Sequence, residues 1–291
     1  MAVYKRNYGR FQGATTPTWA RFLVLPRYAF KDVFKSRIFV AFFTLCFALP
    51  FVGLLLIYLH HNIAALNFLQ LPLADLKDAL PINGKFFLFG LEAQGFLAFL
   101  LTVGVGPALI APDLRNNGLA LYLSRPFSRA EYVLGKMTVL MVLLSLITWV
   151  PGLLLFFFQS YLEGFGWLRE NADIAVALFV GSWAWILVLS LVSLALSAWV
   201  KWKPVARVAM IVVFYVFIGF AAALNDALNT WWGWMLSIWT AIQNVWGSMF
   251  GVKLDEEMTV PLWSAWLTLA ACCLLCLWLL SRRIKAYEVV R

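Results

Sequence analysis

The chain has 291 residues, of which 63% are hydrophobic and 13% are charged, and its formal net charge is +9. A water-soluble domain of this size would have too little polar surface to cover its apolar residues. The composition therefore excludes an ordinary soluble enzyme or binding domain and predicts an all-α membrane protein.

Residues 1–37 are predicted to be a cytoplasmic segment that carries an amphipathic helix at the membrane interface. They include eight Lys or Arg residues and one Asp. Apolar residues recur there at helical spacing, at Trp19, Phe22, Leu23, Pro26, Phe30, Val33 and Phe34. This pattern is typical of an interfacial helix, although an ordinary basic segment beside a span fits the same residues. Because Pro26 would interrupt a continuous helix, the regular part is predicted to begin there.

Six apolar runs are long enough to cross a bilayer, since a spanning helix needs about 20 residues. In chain order they are residues 38–59, 86–110, 133–158, 174–200, 205–224 and 261–280. Lys and Arg gather before the first run, after the second, after the fourth and in the tail, 281–291, whereas the other connections are neutral or acidic. The positive-inside rule then predicts that both termini lie in the cytoplasm. The expected location is a bacterial or archaeal cytoplasmic membrane. This bias explains the net charge without a nucleic-acid partner.

Few polar residues fall inside the apolar runs. Glu92 is a candidate for a proton-coupling carboxylate. However, a span that begins at Glu92 and reaches Ala111 still has about 20 residues, and this placement leaves the carboxylate near the outer boundary of the membrane. His60 and His61 end the first run on the outer side. Adjacent residues point to different helix faces, so solvated interface histidines are expected rather than a metal site.

Prolines and cysteines inside the runs have simple structural interpretations. Kinks are predicted at Pro50, Pro107 and Pro151. Small, buried apolar side chains are predicted for Cys46, Cys272, Cys273 and Cys276. The CxxC spacing of the last two would need further ligands nearby to hold zinc, and the sequence does not provide them.

The connector 112–131 between the second and third runs begins with a helix-start signal. Pro112 suits the first turn of a helix, and Asp113 beside it would complement the positive end of the helix dipole. An apolar edge would then be formed by Leu114, Leu121 and Tyr122. The predicted product is a short helix on the cytoplasmic face, which Asn116, Asn117 and Gly118 would alternatively end early.

The second half of the connector predicts a break and a new helix. Pro126 forces the break. Ser128 followed by Glu131 has the spacing of a capping box, which starts a helix that continues into the third span. The connector would therefore be a short, stiff lever joined directly to a membrane helix.

The segment 226–260, before the last run, is rich in tryptophan. Its indole side chains are Trp231, Trp232, Trp234, Trp239 and Trp246, interspersed with Asn, Gln, Thr and Ser. A seventh span here would carry the basic tail outside, against the positive-inside rule. We therefore expect interfacial or re-entrant helices on the outer side, which serve either as an outer gate or as an anchor.

The connector resembles the matching segment of permeases of the type 2 ATP-binding-cassette transporter family. The family pattern is an acidic residue, a Gly followed by small and apolar residues, then Leu-Ser-x-Pro-x-Ser-Arg, an aromatic residue and Gly-Lys. The matching residues here are Asp113, Gly118, Leu123, Ser124, Pro126, Ser128, Arg129, Tyr132, Gly135 and Lys136. The order of an amphipathic helix, six spans and a helical outer excursion is also similar, whereas Pro112 before Asp113 is less usual.

This resemblance implies that the connector is a coupling helix that docks into a cleft of a separate ATPase subunit. The residues expected to take part are Asp113, Leu114, Arg115, Gly118, Leu121, Tyr122, Arg125, Pro126, Ser128 and Arg129. Of these, Leu114 and Arg115 would make the docking contact, Arg125 and Arg129 would meet acidic partner groups or lipid phosphates, and Pro126 would be the hinge.

The implied partners are two ATPase subunits, a second permease subunit, identical or related, and membrane lipids. The sequence has no G-x-x-x-x-G-K-[ST] loop. The chain is therefore expected to be a permease rather than an enzyme, with no catalytic, cofactor or metal site of its own. ATP and Mg would be bound by the partner ATPases.

Two other classes stay open on the sequence. An ion-driven secondary transporter would need embedded carboxylates or inverted repeats with broken helices, and Glu92 is the single candidate. A membrane scaffold or signalling subunit would transmit force without passing a solute. An intramembrane enzyme fits less well, because the sequence places no convergent set of acids, bases and nucleophiles. A multidrug, lipid, peptide or ion cargo would suit the residues equally.

Overall fold

The computed structural model describes residues 23–62, 81–116, 128–200, 202–252 and 259–284. In this part of the chain the regular structure is helical, and six helices are long and apolar enough to cross a membrane. They are Arg37–His61, Gly84–Arg115, Arg129–Glu163, Ala172–Trp199, Lys203–Leu228 and Leu262–Arg283, here called the first to sixth spans. The predicted all-α fold is confirmed for these residues, as are six helices of the length and apolarity that a span requires. Each span extends past its predicted apolar run at one or both ends, because polar end residues continue the helix.

A short amphipathic helix, Val24–Val33, precedes the first span and packs on the third. It begins just before the predicted start at Pro26, which is tolerated because the first N–H groups of a helix have no intrahelical acceptor. Pro26 is buried and Val33 packs against the core, whereas Arg27 and Lys31 are exposed. Phe30 of the predicted stripe also packs against the core, whereas Leu23 and Phe34 are exposed. Two other members of the stripe lie outside the described residues, Trp19 and Phe22.

Each of the first three spans is interrupted once, close to a proline. The first consists of Arg37–Leu45 and Ala48–His61, the second of Gly84–Val105 and Pro107–Arg115, and the third of Arg129–Ile147 and Trp149–Glu163. Proline lacks the N–H that would bond the carbonyl four residues earlier. The interruptions therefore accompany Pro50, Pro107 and Pro151, where the sequence predicts kinks.

Gln94 of the second span compensates for the interruption at Pro50. The Cys46 carbonyl lies four residues before Pro50 and loses its helical donor. Gln94 Nε2 donates to this carbonyl at 3.0 Å, and the Gln94 side chain is buried. Because an unpaired carbonyl inside an apolar bundle is costly, this hydrogen bond holds the first span against the second.

The fourth span lies at the centre of the bundle. It is an uninterrupted helix of 28 residues that packs against the second, third and sixth spans. Of its most apolar stretch of 18 residues, 61% is buried, against 11% for the first span. Small residues on this helix let its neighbours approach closely. They include Gly181, Ser182, Ser190, Ser193 and Ser197.

Between the fifth and sixth spans, the described residues form two short helices. They are a 3₁₀ helix, Trp232–Leu236, and a helix of 12 residues, Ile238–Met249, here called the penultimate helix. The penultimate helix packs against the fourth and sixth spans. Its Trp246 is fully buried and donates from Nε1 to the Gly181 carbonyl at 3.0 Å. The segment therefore inserts its aromatic side into the bundle.

The fifth span contains one π-helical turn that the sequence did not predict, Val212–Val216. Phe214 in this turn is fully buried. Its ring lies 5.1 Å from that of Phe99 and 5.5 Å from that of Trp185, measured between centroids. The bulged turn thus directs an aromatic ring into the core, and π-turns of this kind cannot be recognised from apolar periodicity.

The second span begins at Gly84, two residues before the predicted run 86–110. Glu92 lies about 12 Å along the helix axis from this start, and its side chain is half-buried. The earlier start has a local cause, because the Asn83 side chain accepts from the Lys85 N–H at 3.0 Å and caps the helix.

The four cysteines are free thiols within the spans. Cys46 and Cys276 are buried, as predicted, and Cys272 and Cys273 are half-buried. In the part of the chain that the structure describes, no group of three or more His, Cys, Asp or Glu side chains has the arrangement of a metal site.

We expect Gly95→Ala to lower the thermal midpoint of the purified protein. A Cβ at this position would lie 2.6 Å from Trp246 Cη2, and overpacking against a fixed ring typically costs about 1–3 kcal/mol. Gly90→Ala is the matched control on the same helix, because its Cβ would meet no atom within 4 Å. The loss caused by Gly95→Ala should also shrink in a Trp246→Phe background. Equal midpoints for the two glycine variants would contradict this packing.

Candidate functional site at the basic end of the bundle

One end of the bundle, here called the basic end, carries most of the Lys and Arg residues of the described chain. Spans begin or end there at Arg37, Arg115, Arg129, Lys203 and Arg283. Hydrogen bonds join these ends: Arg283 Nε donates to the Ala198 carbonyl at 3.3 Å, and Arg207 Nη2 donates to the Gly104 carbonyl at 3.2 Å. The connector 112–131 leaves and re-enters the bundle at this end.

Three side chains form an ionic cluster where the connector joins the bundle. Lys136 Nζ lies 2.9 Å from Asp113 Oδ2, and Tyr132 donates its hydroxyl to the same oxygen at 2.8 Å. Tyr132 and Lys136 are four residues apart on one helix, so they project from the same face. The cluster ties the last turn of the second span to the first turns of the third.

The cluster is largely shielded from water. Tyr132 is fully buried, and the side chains of Asp113 and Lys136 are 19% and 11% exposed. The ammonium group also lies 5.7 Å from the centre of the Tyr132 ring, a favourable cation–π position. Removing one member of a buried ion pair leaves an uncompensated charge. Asp113 and Lys136 therefore each stabilise the other in this shielded position.

The predicted start of a new helix at Pro112 is wrong. Pro112 lies inside the helix Pro107–Arg115, which continues the second span, and Asp113 occupies the last turn of that helix. A carboxylate near a helix C-terminus is unfavourable with respect to the helix dipole. Lys136 supplies the compensating positive charge, which is a tertiary contact that no local pattern indicates.

Ser197 of the fourth span stabilises the interruption before Pro107. Its Oγ accepts from the N–H groups of Ile110 and Ala111 at 3.2 and 2.9 Å and lies 3.3 Å from the Pro107 carbonyl, to which it donates. Ser197 thus adds two acceptor contacts and one donor contact to the backbone just after the interruption. The connector end of the second span is thus held by the central helix.

The capping box predicted at the other end of the connector is confirmed. Ser128 Oγ accepts from the Glu131 N–H at 3.1 Å, and Glu131 Oε2 accepts from the Ser128 N–H at 2.6 Å. The third span therefore starts at Arg129, at a fixed point three residues before Tyr132.

The residues expected to contact an ATPase divide into two sets. Asp113, Leu114, Arg115, Ser128 and Arg129 lie at the two ends of the connector. Asp113 is engaged in the ionic cluster, Leu114 is half-buried against the core, and Arg115 and Arg129 are exposed. The rest lie outside the described residues: Gly118, Leu121, Tyr122, Arg125 and Pro126, as do the motif residues Leu123 and Ser124.

A polar cleft of about 190 Å³ lies beside the connector. It is lined by Pro112, Arg115, Asn116 and Lys203. Two cationic side chains with no carboxylate among these lining residues favour an anionic group in the cleft. An acidic side chain of a partner protein or a phosphate would meet this requirement.

A hydrogen-bonded pair of side chains joins the first and third spans at the opposite end. His61 Nε2 lies 3.0 Å from Glu163 Oε1, and His61 Nδ1 lies 3.0 Å from the Ile57 carbonyl. The sequence predicted that His61 would be solvated and did not predict its contact with Glu163. The sequence indicates that His61 and Glu163 each lie at the end of a span on the same side of the bundle. It does not indicate which spans are neighbours, so the contact could not be predicted from it.

No family model matches the chain, and no curated protein matches it. The resemblance of the connector to ATP-binding-cassette permeases is accordingly carried by the motif residues alone.

We expect Lys136→Met to lower the thermal midpoint strongly, because it leaves the largely buried Asp113 carboxylate unpaired, at a cost of about 3 kcal/mol. Lys35→Met is the matched control, since Lys35 pairs with Asp32 at the exposed surface, and it should leave the midpoint unchanged. Adding Asp113→Leu to Lys136→Met should recover part of the loss. Additive effects of the two substitutions in a double-mutant cycle would contradict the ion pair.

Ser197→Ala should also destabilise the protein, by about 1–3 kcal/mol, because two buried N–H groups lose their acceptor. Ser190→Ala is the control on the same helix: Ser190 is fully buried, and its Oγ has no hydrogen-bond partner among the described residues. Thermal denaturation in one detergent compares the two variants. A loss at Ser190 equal to that at Ser197 would argue against the role of Ser197.

Proposed function

We propose that the chain is the membrane-spanning permease subunit of an ATP-binding-cassette transporter that exports its substrate. The observation that carries the proposal is the ionic cluster of Asp113, Tyr132 and Lys136, which joins the two ends of the connector. A connector anchored in this way transmits a displacement to the second and third spans together. The match of the connector motif to the permease family adds independent support.

In the proposed cycle an ATPase subunit supplies the displacement. Residues 116–128 dock on the ATPase, with Arg115 beside the polar cleft and Arg129 at the start of the third span as exposed cationic contacts. Closure of two ATPases on ATP and Mg moves the connectors, and the spans change tilt. This is a population shift that the differential binding of nucleotide drives.

The interrupted spans suit such a movement. The first three spans can bend where their helices are broken, while the fourth remains a continuous helix at the centre. Rigid segments joined by short breaks are the usual elements of hinge motions. We infer that the segments of the second and third spans next to the connector move first.

The proposal includes a second permease subunit and contact with lipid. The most apolar stretches of the first and fifth spans are only 11% and 22% buried. These surfaces are therefore available for a bilayer or for a second, identical or related subunit. The penultimate helix, with Trp246 inside the bundle, would close the outer side as a re-entrant element.

To test the energy source, the tagged protein is purified from its native membrane in a mild detergent, and ATP hydrolysis is measured. We expect copurifying ATPase activity that Arg115→Glu lowers by about tenfold, because charge reversal removes a contact with acidic partner groups. Arg169→Glu, an equally exposed arginine at the opposite end of the bundle, is the matched control and should leave the activity unchanged.

Two outcomes would contradict the proposal. One is a preparation that shows no ATPase activity but still moves a solute along an ion gradient, which would favour a secondary transporter. The other is equal ATPase activity for the two arginine variants, which would remove the connector from the coupling contact.

The predicted orientation has a separate test. A tag added after Arg291 should be protected from an added protease in intact cells and cleaved after lysis, because the basic end faces the cytoplasm. A tag placed after Gly164, at the end with Glu163 and Asp226, is the control and should be cleaved in intact cells. Cleavage of the C-terminal tag in intact cells would overturn both the orientation and an intracellular ATPase contact.

A further inference from the structure

Three cationic side chains lie along the line where the second and fifth spans pack against each other. Arg115 and Lys203 line the polar cleft of about 190 Å³ at the basic end. Arg207 lies four residues after Lys203 on the same face of the fifth span, and its Nη2 donates to the Gly104 carbonyl of the second span at 3.2 Å. We call the surface formed by Arg115, Lys203 and Arg207 the cationic seam.

No described carboxylate compensates the cationic seam. Its three residues are exposed and take part in none of the ion pairs among the described residues. The carboxylate closest to Arg115 along the chain, that of Asp113, is already held by Lys136 and Tyr132. The seam therefore offers the N–H donors of two guanidinium groups and one ammonium group to an anion.

Exposed tryptophans place the seam at the level of lipid headgroups. Trp199 ends the fourth span, Trp202 directly precedes Lys203, and both indole side chains are exposed. Trp278, close to the same end of the sixth span, is exposed as well. Indole rings are enriched where the hydrocarbon of a membrane meets its headgroups. The start of the fifth span therefore lies at the depth of lipid phosphates.

Apolar surface continues from the seam toward the middle of the spans. Ile211 lies four residues after Arg207 on the fifth span, and Leu100 lies four residues before Gly104 on the second. Both apolar side chains are exposed. A Cβ at Gly104 would meet no atom within 4 Å, so the space beside this contact of Arg207 is open. A ligand that fits both parts of the surface has an anionic head and an alkyl chain.

The depth of Arg207 favours a lipid over an acidic protein. At 1.5 Å per residue, Arg207 lies about 6 Å farther into the fifth span than Lys203. A protein outside the membrane reaches Arg115 and Lys203 at the end of the bundle, but it has to pass the headgroups to reach Arg207. A lipid phosphate lies at this depth, and long cationic side chains extend toward it.

We propose that the cationic seam binds the phosphate group of an anionic membrane lipid, whose acyl chain lies along Ile211 and Leu100. Arg115 and Lys203 contact the phosphate in the cleft, and Arg207 contacts it from the membrane side. The site depends on the spans crossing a membrane, but it requires neither the ATPase nor a second subunit. A bound lipid links the second span to the fifth at the end where the connector leaves the bundle.

The test uses the purified full-length protein, stripped of lipid in detergent, and native mass spectrometry. Phosphatidylglycerol should bind about tenfold more tightly than phosphatidylcholine with the same acyl chains, because only phosphatidylglycerol carries a net negative charge. Glycerol 3-phosphate should not displace it, because this water-soluble phosphate has no acyl chain to place on the apolar surface. Displacement by glycerol 3-phosphate at equal concentration would overturn the lipid and assign the seam to a soluble phosphate compound.

Substitutions in the fifth span locate the site. Lys203→Gln combined with Arg207→Gln should lower the affinity for phosphatidylglycerol by about tenfold, and Lys203→Gln alone by about threefold. The matched control is Lys85→Gln combined with Arg169→Gln, which removes one exposed lysine and one exposed arginine at the opposite end of the bundle and should leave the affinity unchanged. The single variant retains the contact between Arg207 and Gly104, so it decides the question even where the double variant is unstable.

The outcomes separate a lipid from a protein partner. Equal affinity of the unmodified protein for the two lipids would overturn the proposal, and so would equal affinities of the seam and control variants. If Lys203→Gln then lowers the copurifying ATPase activity instead, the seam is a contact for an acidic protein. Failure of the permease proposal leaves the lipid measurements unaffected, because they contain no ATPase.

Discussion

Where helices are interrupted inside an apolar bundle, side chains of neighbouring spans bond the backbone near the break. At the first interruption, Gln94 satisfies the Cys46 carbonyl, which Pro50 leaves without its helical donor. At the second, Ser197 Oγ bonds the N–H groups of Ile110 and Ala111 and the Pro107 carbonyl. Each compensating side chain comes from a different span, so the breaks within helices become connections between helices. The segmented spans gain places to bend without exposing polar backbone to hydrocarbon.

The same principle explains the two ends of the bundle. At the basic end, Asp113 sits in the final turn of a helix, where its charge opposes the helix dipole, and Lys136 of the next span compensates it. At the other end, His61 and Glu163 join the ends of the first and third spans. The third span is therefore held by side-chain contacts to the second span at one end and to the first span at the other. The proposed coupling role uses the first of these contacts, because the cluster joins the connector directly to the third span.

Local features of the sequence determined much of this structure. The six apolar helices, the amphipathic helix, the interruptions near prolines and the capping box of Ser128 depend on the spacing of residues along the chain, so the sequence predicts them. Other features depend on which helices are neighbours: the partner of Asp113, the partner of His61, the insertion of Trp246 and the hydrogen bond of Gln94. Only the tertiary structure decided these contacts, because the sequence of one apolar helix does not specify which other helices of similar composition it packs against.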